Sequence, residues 1–215
     1  VDDHRAGLSG IDLINAGVVV VDDFTPHIDA VRQSALASGF GTWRPNKGEV
    51  GSSIYDGMNF WGDHATMISA LSSHMGRAVI PNSMFFRVTN KDTEAAYVHS
   101  DREAGQYTCV VYLSDHGDDQ SGTGFYRHRE SGAVCMQSFE EMARDPASFA
   151  RLKEQMVTGS DEDWEQLRFV NGKYNRAVIF YAPLFHARCP RYGFGDTSED
   201  GRMVWVSHFY VEAGG

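Results

Sequence analysis

The stretch Ala95-Ala-Tyr-Val-His-Ser-Asp-Arg-Glu-Ala-Gly-Gln-Tyr-Thr-Cys-Val-Val-Tyr-Leu113 decides how this chain is read. Residues 106–113 are the clearest strand in the sequence: β-branched and aromatic side chains dominate, and Gly105 and a polar turn at 115–122 bound them. Residues 95–99 also read as extended. His99-Ser-Asp101 therefore falls at a strand end, just ahead of the strongest strand. That placement aims an imidazole and a carboxylate into the mouth of a barrel.

Strand signals continue on both sides. Residues 83–89, 123–128, 133–136, 176–181 and 202–211 all read as extended, and Gly17-Val-Val-Val-Val-Asp22 reads as a short buried strand near the start. A helix opens at Thr25-Pro26, with Thr as N-cap and Pro at the first helical position, and ends at Gly39. A second helix covers roughly 63–75. Between them, residues 40–62 carry Trp43, Tyr55, Phe60 and Trp61 among glycines with no period, and read as a long loop. Residues 138–169 read as a helical insert, with a capped start at Ser160-Asp-Glu-Asp-Trp164. Two helices followed by many short strands exclude a βαβ repeat. The expected fold is mainly β with flanking helices, an antiparallel barrel or jelly roll, in a single domain over 1–215.

Composition agrees with a globular domain: 215 residues, 42% hydrophobic and 22% charged. The net charge of −10 argues against a broad nucleic-acid face, which needs clustered Lys and Arg. Cys109, Cys135 and Cys189 leave an odd thiol with no paired metal spacing, so a reducing, cytoplasmic setting is expected. No apolar run approaches the ~18 residues of a membrane span, and no signal-peptide pattern is present.

A non-haem Fe(II) site needs two imidazoles and one carboxylate on one face of the metal, with the remaining positions open. His-x-Asp supplies two of these from one turn. The pattern occurs three times, at His27/Asp29, His99/Asp101 and His116/Asp118. The first lies in an opening helical turn, where Asp is a routine dipole partner. The last lies in a solvated Gly-Asp turn. His99 and Asp101 are the better pair. His186, which follows the strand at 176–181, is the expected third ligand. Arg202 opens the last long strand and suits bidentate binding of a carboxylate.

His99-Ser-Asp101, His186 and Arg202, in that order, resemble the 2-oxoglutarate/Fe(II) dioxygenases, in particular their prolyl-hydroxylase-like branch. Thr108-Cys-Val-Val-Tyr-Leu-Ser114, Gly122-Thr-Gly-Phe125, Asn175-Arg-Ala-Val-Ile-Phe-Tyr181 and Arg202-Met-Val-Trp-Val-Ser-His-Phe-Tyr210 extend the likeness, with Thr123 replacing one residue of a Gly-Gly turn. The resemblance implies a double-stranded β-helix. It implies Fe(II) on His99, Asp101 and His186, and 2-oxoglutarate held by Arg202 and Tyr112 with Thr108 lining its pocket. It also implies O2 as second cosubstrate, with decarboxylation to succinate coupled to hydroxylation or a related C–H oxidation. The substrate would be a small molecule or a peptidyl side chain, with Arg127, Arg188, Trp43 and Trp61 as candidate contacts; neither nucleic acid nor membrane is expected. The competing reading is a cupin-like metal-binding barrel without oxygen chemistry, an isomerase, lyase or binding protein. Residues 41–62 or 136–170 are expected to border the site, since a reactive centre has to be shielded from water.

Overall fold

A computed structural model describes residues 9–43, 55–61, 64–93, 95–114, 121–136, 144–158 and 161–212. The elements run α1 (Gly10–Gly17), β1 (Val18–Val21), α2 (Ile28–Ser38), β2 (Gly41–Trp43), β3 (Tyr55–Asn59), α3 (Ala65–Met75), β4 (Val79–Thr89), β5 (Tyr107–Tyr112) and β6 (Gly122–His128). Then come α4 (Pro146–Thr158), a 3-10 turn at Asp161–Asp163, β7 (Trp164–Asn171), β8 (Ala177–Tyr181), β9 (His186–Cys189) and β10 (Arg202–Val211). A seven-stranded sheet has the order β1-β8-β5-β10-β4-β3-β2, and a three-stranded sheet has the order β7-β6-β9. Every strand pairing among the described residues is antiparallel. The fold is a jelly roll, the double-stranded β-helix that the sequence led us to expect.

The strand β10 shows how the core is divided. Met203, Trp205 and Phe209 join Phe86, Val88, Val111 and Ile179 in one cluster, covered by Val31, Ala35, Met67 and Leu71 of α2 and α3. Val204 and Val206 face the other way, into the barrel, with Tyr112, Phe125, Val178 and Phe180. A strand buried on both faces loses polar alternation and reads as a continuous apolar run. The alternation keeps Arg202 and His208 on the same inner face as Val204 and Val206. After His208 the pairing with β4 shifts register and continues through Val211, and such bulges re-aim side chains near functional sites.

Several expectations change in the structure. Residues 161–163 form only a single 3-10 turn, and Trp164–Asn171 is a strand of the small sheet, not a continuation of the helical insert. Acidic residues after Ser160 suit any helical first turn, and here the strand pairing with β6 takes over after three residues. Ser160 and residues 137–143 lie outside the described residues. Residues 40–62 are not simply loop: β2 and β3 extend the large sheet beyond β4. Strand β1 is an edge strand with Val19 54% exposed, so its valines mark sheet pairing, not full burial. Residues 95–99 and 133–136 form no strand of either sheet and pair only as isolated bridges at His99 and Cys135. Helix α1 was not anticipated. Its signal was the capping box Ser9-Gly-Ile-Asp12, in which each residue's side chain accepts from the other's backbone N–H at 3.3 Å. No helix among the described residues is long and apolar enough to cross a membrane.

Candidate metal centre

His99 and His186 are 87 residues apart in sequence and directly opposed in space. Each backbone N–H donates to the other's carbonyl at 2.9 Å. The connection from β8 to β9 also anchors the turn that follows His99. Asp101 N–H donates to Ala182 O at 3.0 Å, and Ser100 Oγ donates to Pro183 O at 3.2 Å. Gly105 lets this turn lie against β10, since a Cβ there would sit 2.9 Å from Phe209 N.

These constraints bring the ligand atoms of His99, Asp101 and His186 within 4.8 Å of one another, the one such cluster among the described residues. His99 Nε2 lies 3.7 Å from Asp101 Oδ1, and His186 Nε2 lies 3.2 Å from Asp101 Oδ2. Donors ~2.0–2.2 Å from one ion stand about 3 Å apart when their bonds are perpendicular, so the set is the right size for a first-row metal. Asp29 instead accepts from the Tyr174 hydroxyl. His116 and Asp118 lie outside the described residues.

The hydrogen bonds assign the imidazole tautomers. His99 Nδ1 faces Tyr97 O and His186 Nδ1 faces Leu184 O, both at 2.9 Å. A carbonyl can only accept, so each Nδ1 carries a proton and Nε2 is the nitrogen left for a metal. Desolvation in the crowded pocket, then the neighbouring His186 imidazole, pulls the His99 pKa below the ordinary histidine value, although 48% of its side chain reaches solvent. A neutral ring is the form that binds metal. Burial opposes ionisation of Asp101, but the fields and hydrogen bonds of His186 and His208 outweigh it and hold the pKa well below the usual carboxylate range.

His208 was missed in the sequence, although it lies in the quoted closing strand. Its Nε2 is 3.3 Å from Asp101 Oδ2, and its Nδ1 is 2.6 Å from Ser83 Oγ. A nitrogen facing a carboxylate keeps its proton there, so Nδ1 accepts from the Ser83 hydroxyl. His208 differs from His99 and His186 in that its Nδ1 faces a hydroxyl that can donate, so it can be neutral and still donate from Nε2 to Asp101. Thr108 Oγ1 also donates to Asp101 Oδ2, at 2.9 Å. Thr108 thus touches the carboxylate of the candidate metal ligand Asp101. The alternation of β5 and β10, two buried strands with a polar residue in an apolar run, was the available signal for both.

Deeper in the barrel, Arg202 is 5% exposed, and its Nε has no hydrogen-bond partner. Its guanidinium lies 5.2 Å from the Tyr112 ring centre, and Nη2 donates to Gly122 O at 3.4 Å. The strand at Gly122 lies close on β7, since a Cβ there would come 2.1 Å from Val170 O. The Tyr112 hydroxyl pairs with Thr123 Oγ1 at 2.7 Å, and burial raises its pKa above the ordinary tyrosine value. Arg188 follows His186 by two residues on β9, and hence shares its inward face. Burial, then the positive fields of Arg202 and Arg87, pulls its pKa down to about 9, which leaves it a cation at neutral pH.

The remaining predicted contacts divide. Arg127 is held on the small sheet by Glu165, with donors at 2.5 and 3.0 Å. Trp61 is 84% exposed. Trp43 packs on Phe60, Phe60 on Phe85 and Phe85 on His208, with ring centres 5.8–6.2 Å apart. The aromatic segment therefore approaches the site through Phe85, which packs on His208 beside Asp101. Helix α4 does not line the site. It places Leu152 behind it, in a cluster with Val98, Trp164, Phe185 and Ala187, next to the two histidine ligands in sequence.

The fold has solved neighbours. The non-heme alpha-ketoglutarate-dependent carbocyclase SnoK of nogalamycin biosynthesis matches with a TM-score of 0.55 at 16% identity, covering 96% of this chain and 85% of that one. HygX of Streptomyces hygroscopicus, solved with nickel, 2-oxoglutarate and hygromycin B, matches with a TM-score of 0.52 at 12% identity over 93% and 84%. The epimerase SnoN, solved with Fe3+, alpha-ketoglutarate and nogalamycin RO, matches with a TM-score of 0.51 at 13% identity over 94% and 84%. At these identities the likeness shows the fold. No curated protein matches the chain in sequence. A family model does match, over residues 9–207, and the chain belongs to that family, the family of unknown function DUF6445.

Proposed function

We propose that the protein is a non-haem Fe(II) enzyme that consumes 2-oxoglutarate and O2 to oxidise a C–H bond, most simply by hydroxylation. The observation that carries this reading is the pairing of a two-histidine, one-carboxylate set with a buried arginine whose Nε has no protein partner. A metal-binding barrel without a cosubstrate has no use for a buried, incompletely bonded guanidinium, which is costly to leave so. Neighbours of the same fold that were solved with iron or nickel and 2-oxoglutarate support the reading.

In this reading His99, Asp101 and His186 hold the metal. Iron bound there with 2-oxoglutarate supplies O2 activation, coupled to conversion of the cosubstrate to succinate and CO2. Arg202 takes the far carboxylate in a bidentate grip, and the Tyr112 hydroxyl donates to the same group. His208 and Thr108 fix the plane of Asp101 by occupying Oδ2, which leaves Oδ1 toward His99. Phe85, Phe60 and Trp43 shield one side of the centre from water. The test is succinate formation from 2-oxoglutarate by the Fe(II)-loaded protein in air, without added substrate. Slow, iron-dependent turnover that is lost in Arg202→Ala supports the proposal. Tight iron binding without any succinate favours the non-oxygenase barrel.

A further inference from the structure

Three neighbouring strands of the large sheet place polar side chains in one row. Ser83 of β4 is the register partner of His208 of β10, and His208 is the register partner of Thr108 of β5. The row lies on the barrel face. Ser83 alternates with Phe85, which packs on His208, and His208 and Thr108 both reach Asp101. Thr108 Oγ1 is 2.9 Å and His208 Nε2 is 3.3 Å from Asp101 Oδ2. Ser83 Oγ is bonded instead to His208 Nδ1, at 2.6 Å.

Resting on the metal assignment of the proposed function, we propose that Ser83 is a positioning residue of the metal centre, which acts through His208 to hold Asp101 in the orientation that binds the ion. A neutral imidazole has one proton to give, and the groups facing its two nitrogens decide which nitrogen carries it. His208 Nε2 faces a carboxylate. A carbonyl at Nδ1, the arrangement at His99 and His186, would compete for the same proton. A hydroxyl does the reverse: Ser83 supplies its own proton to Nδ1 and leaves the ring proton for Asp101. His208 is only 8% exposed, so solvent is a poor replacement for that hydroxyl. Without Ser83 the proton can settle on Nδ1, and a lone pair then meets Asp101 Oδ2, acceptor against acceptor. Thr108 would remain as the single hydroxyl donor of the row to Oδ2, and one bond leaves the carboxylate free to turn about it. The metal feels this through Oδ1, which the engaged Oδ2 keeps toward His99, 3.7 Å from its Nε2. Groups that orient a metal ligand carry much of a site's affinity although they never touch the ion.

The experiment titrates Zn(II) into the metal-free full chain by calorimetry and reads the His208 tautomer in the zinc-loaded protein by nitrogen NMR of the imidazole. Zinc is diamagnetic and needs no oxygen, so neither readout depends on turnover. The unaltered protein should carry the His208 proton on Nε2. Ser83→Ala should weaken zinc about fivefold, below the ~10–100-fold typical of a partner that touches the ligand itself, and should move part of the His208 proton to Nδ1. Ser83→Thr keeps the hydroxyl and should restore both readouts. Combined with His208→Ala, Ser83→Ala should cause little further loss, since side chains that act in series are not additive. An unchanged zinc affinity in Ser83→Ala overturns the proposal. So does a full further loss in the His208→Ala background, which would make Ser83 a packing residue, or a Ser83→Thr variant as weak as Ser83→Ala. Should Ser83→Ala fail to fold, the unaltered protein still decides, because a His208 proton on Nδ1 contradicts the assignment. Asp101→Ala separates the two levels. Zinc binding that survives the loss of Asp101 sinks the metal site and the proposed function with it. Zinc binding that needs Asp101 but ignores Ser83 overturns the positioning role alone.

Discussion

The two faces of the large sheet are built from the same strands and do opposite work. On the helix-covered face, Trp205 stacks on Phe86 with ring centres 5.3 Å apart and planes 12° apart, in an apolar cluster with His64 at its edge. On the barrel face, three residues to either side of Trp205 along the same strand, Arg202 and His208 flank Val204 and Val206. The outer face sets how firmly the sheet is held, and the inner face sets what the sheet can bind. The difference shows that a strand buried on both sides can carry a polar site on one of them.

Trp205→Ala should produce the largest change. It removes a fully buried aromatic from the outer cluster and should cost ~3–5 kcal/mol of stability, read by chemical denaturation. Below the unfolding transition, metal affinity should stay close to that of the unaltered protein. Lost metal binding in the folded variant would mean that the two faces are not separable. Asp101→Ala should do the converse. Metal affinity should fall at least ~100-fold, beyond the range typical of partners that orient a ligand, while the denaturation midpoint of the metal-free protein stays within ~1 kcal/mol, as at sites away from the packed core.

His208→Ala falls between these. It removes the donor that orients Asp101 and should weaken metal binding ~10–100-fold. His208→Asn keeps a donor and should recover part of that loss. Equal effects of both variants would show that His208 acts by filling space. Arg176 and Asp22 lie on neither face and should matter least. They form an ion pair at 2.5 Å, with the Asp22 side chain 42% exposed. The Arg176 hydrogen bond lowers the Asp22 pKa against the opposing effect of burial. Its contribution is thus complete above the ordinary carboxylate pKa and disappears as pH falls through the lowered value. Asp22→Asn should cost under ~1 kcal/mol near neutral pH and nothing in strong acid.

The parts that were legible in the sequence follow from this division. The strands β5, β8 and β10 were readable because burial on both faces makes them continuous apolar runs. His99, Asp101 and His186 were readable because strand-end position separates one His-x-Asp from another. Strand β7 was not, because its acidic approach looks like a helix start and its identity comes from pairing with β6. His208 was hidden for a related reason. Its role depends on Asp101, 107 residues earlier, and on a bulge that local sequence does not announce.

The pairing of metal ligands with Arg202 is best tested by anaerobic titration of 2-oxoglutarate into the Fe(II)-loaded protein, followed by its charge-transfer absorption. The expected result is a saturable band in the unaltered protein, absent in Asp101→Ala. In Arg202→Ala its midpoint should move at least ~30-fold higher, in line with the ~2–5 kcal/mol lost when a buried charge pair is broken. A protein that binds Fe(II) tightly at His99, Asp101 and His186 yet gives no band at saturating 2-oxoglutarate would contradict it.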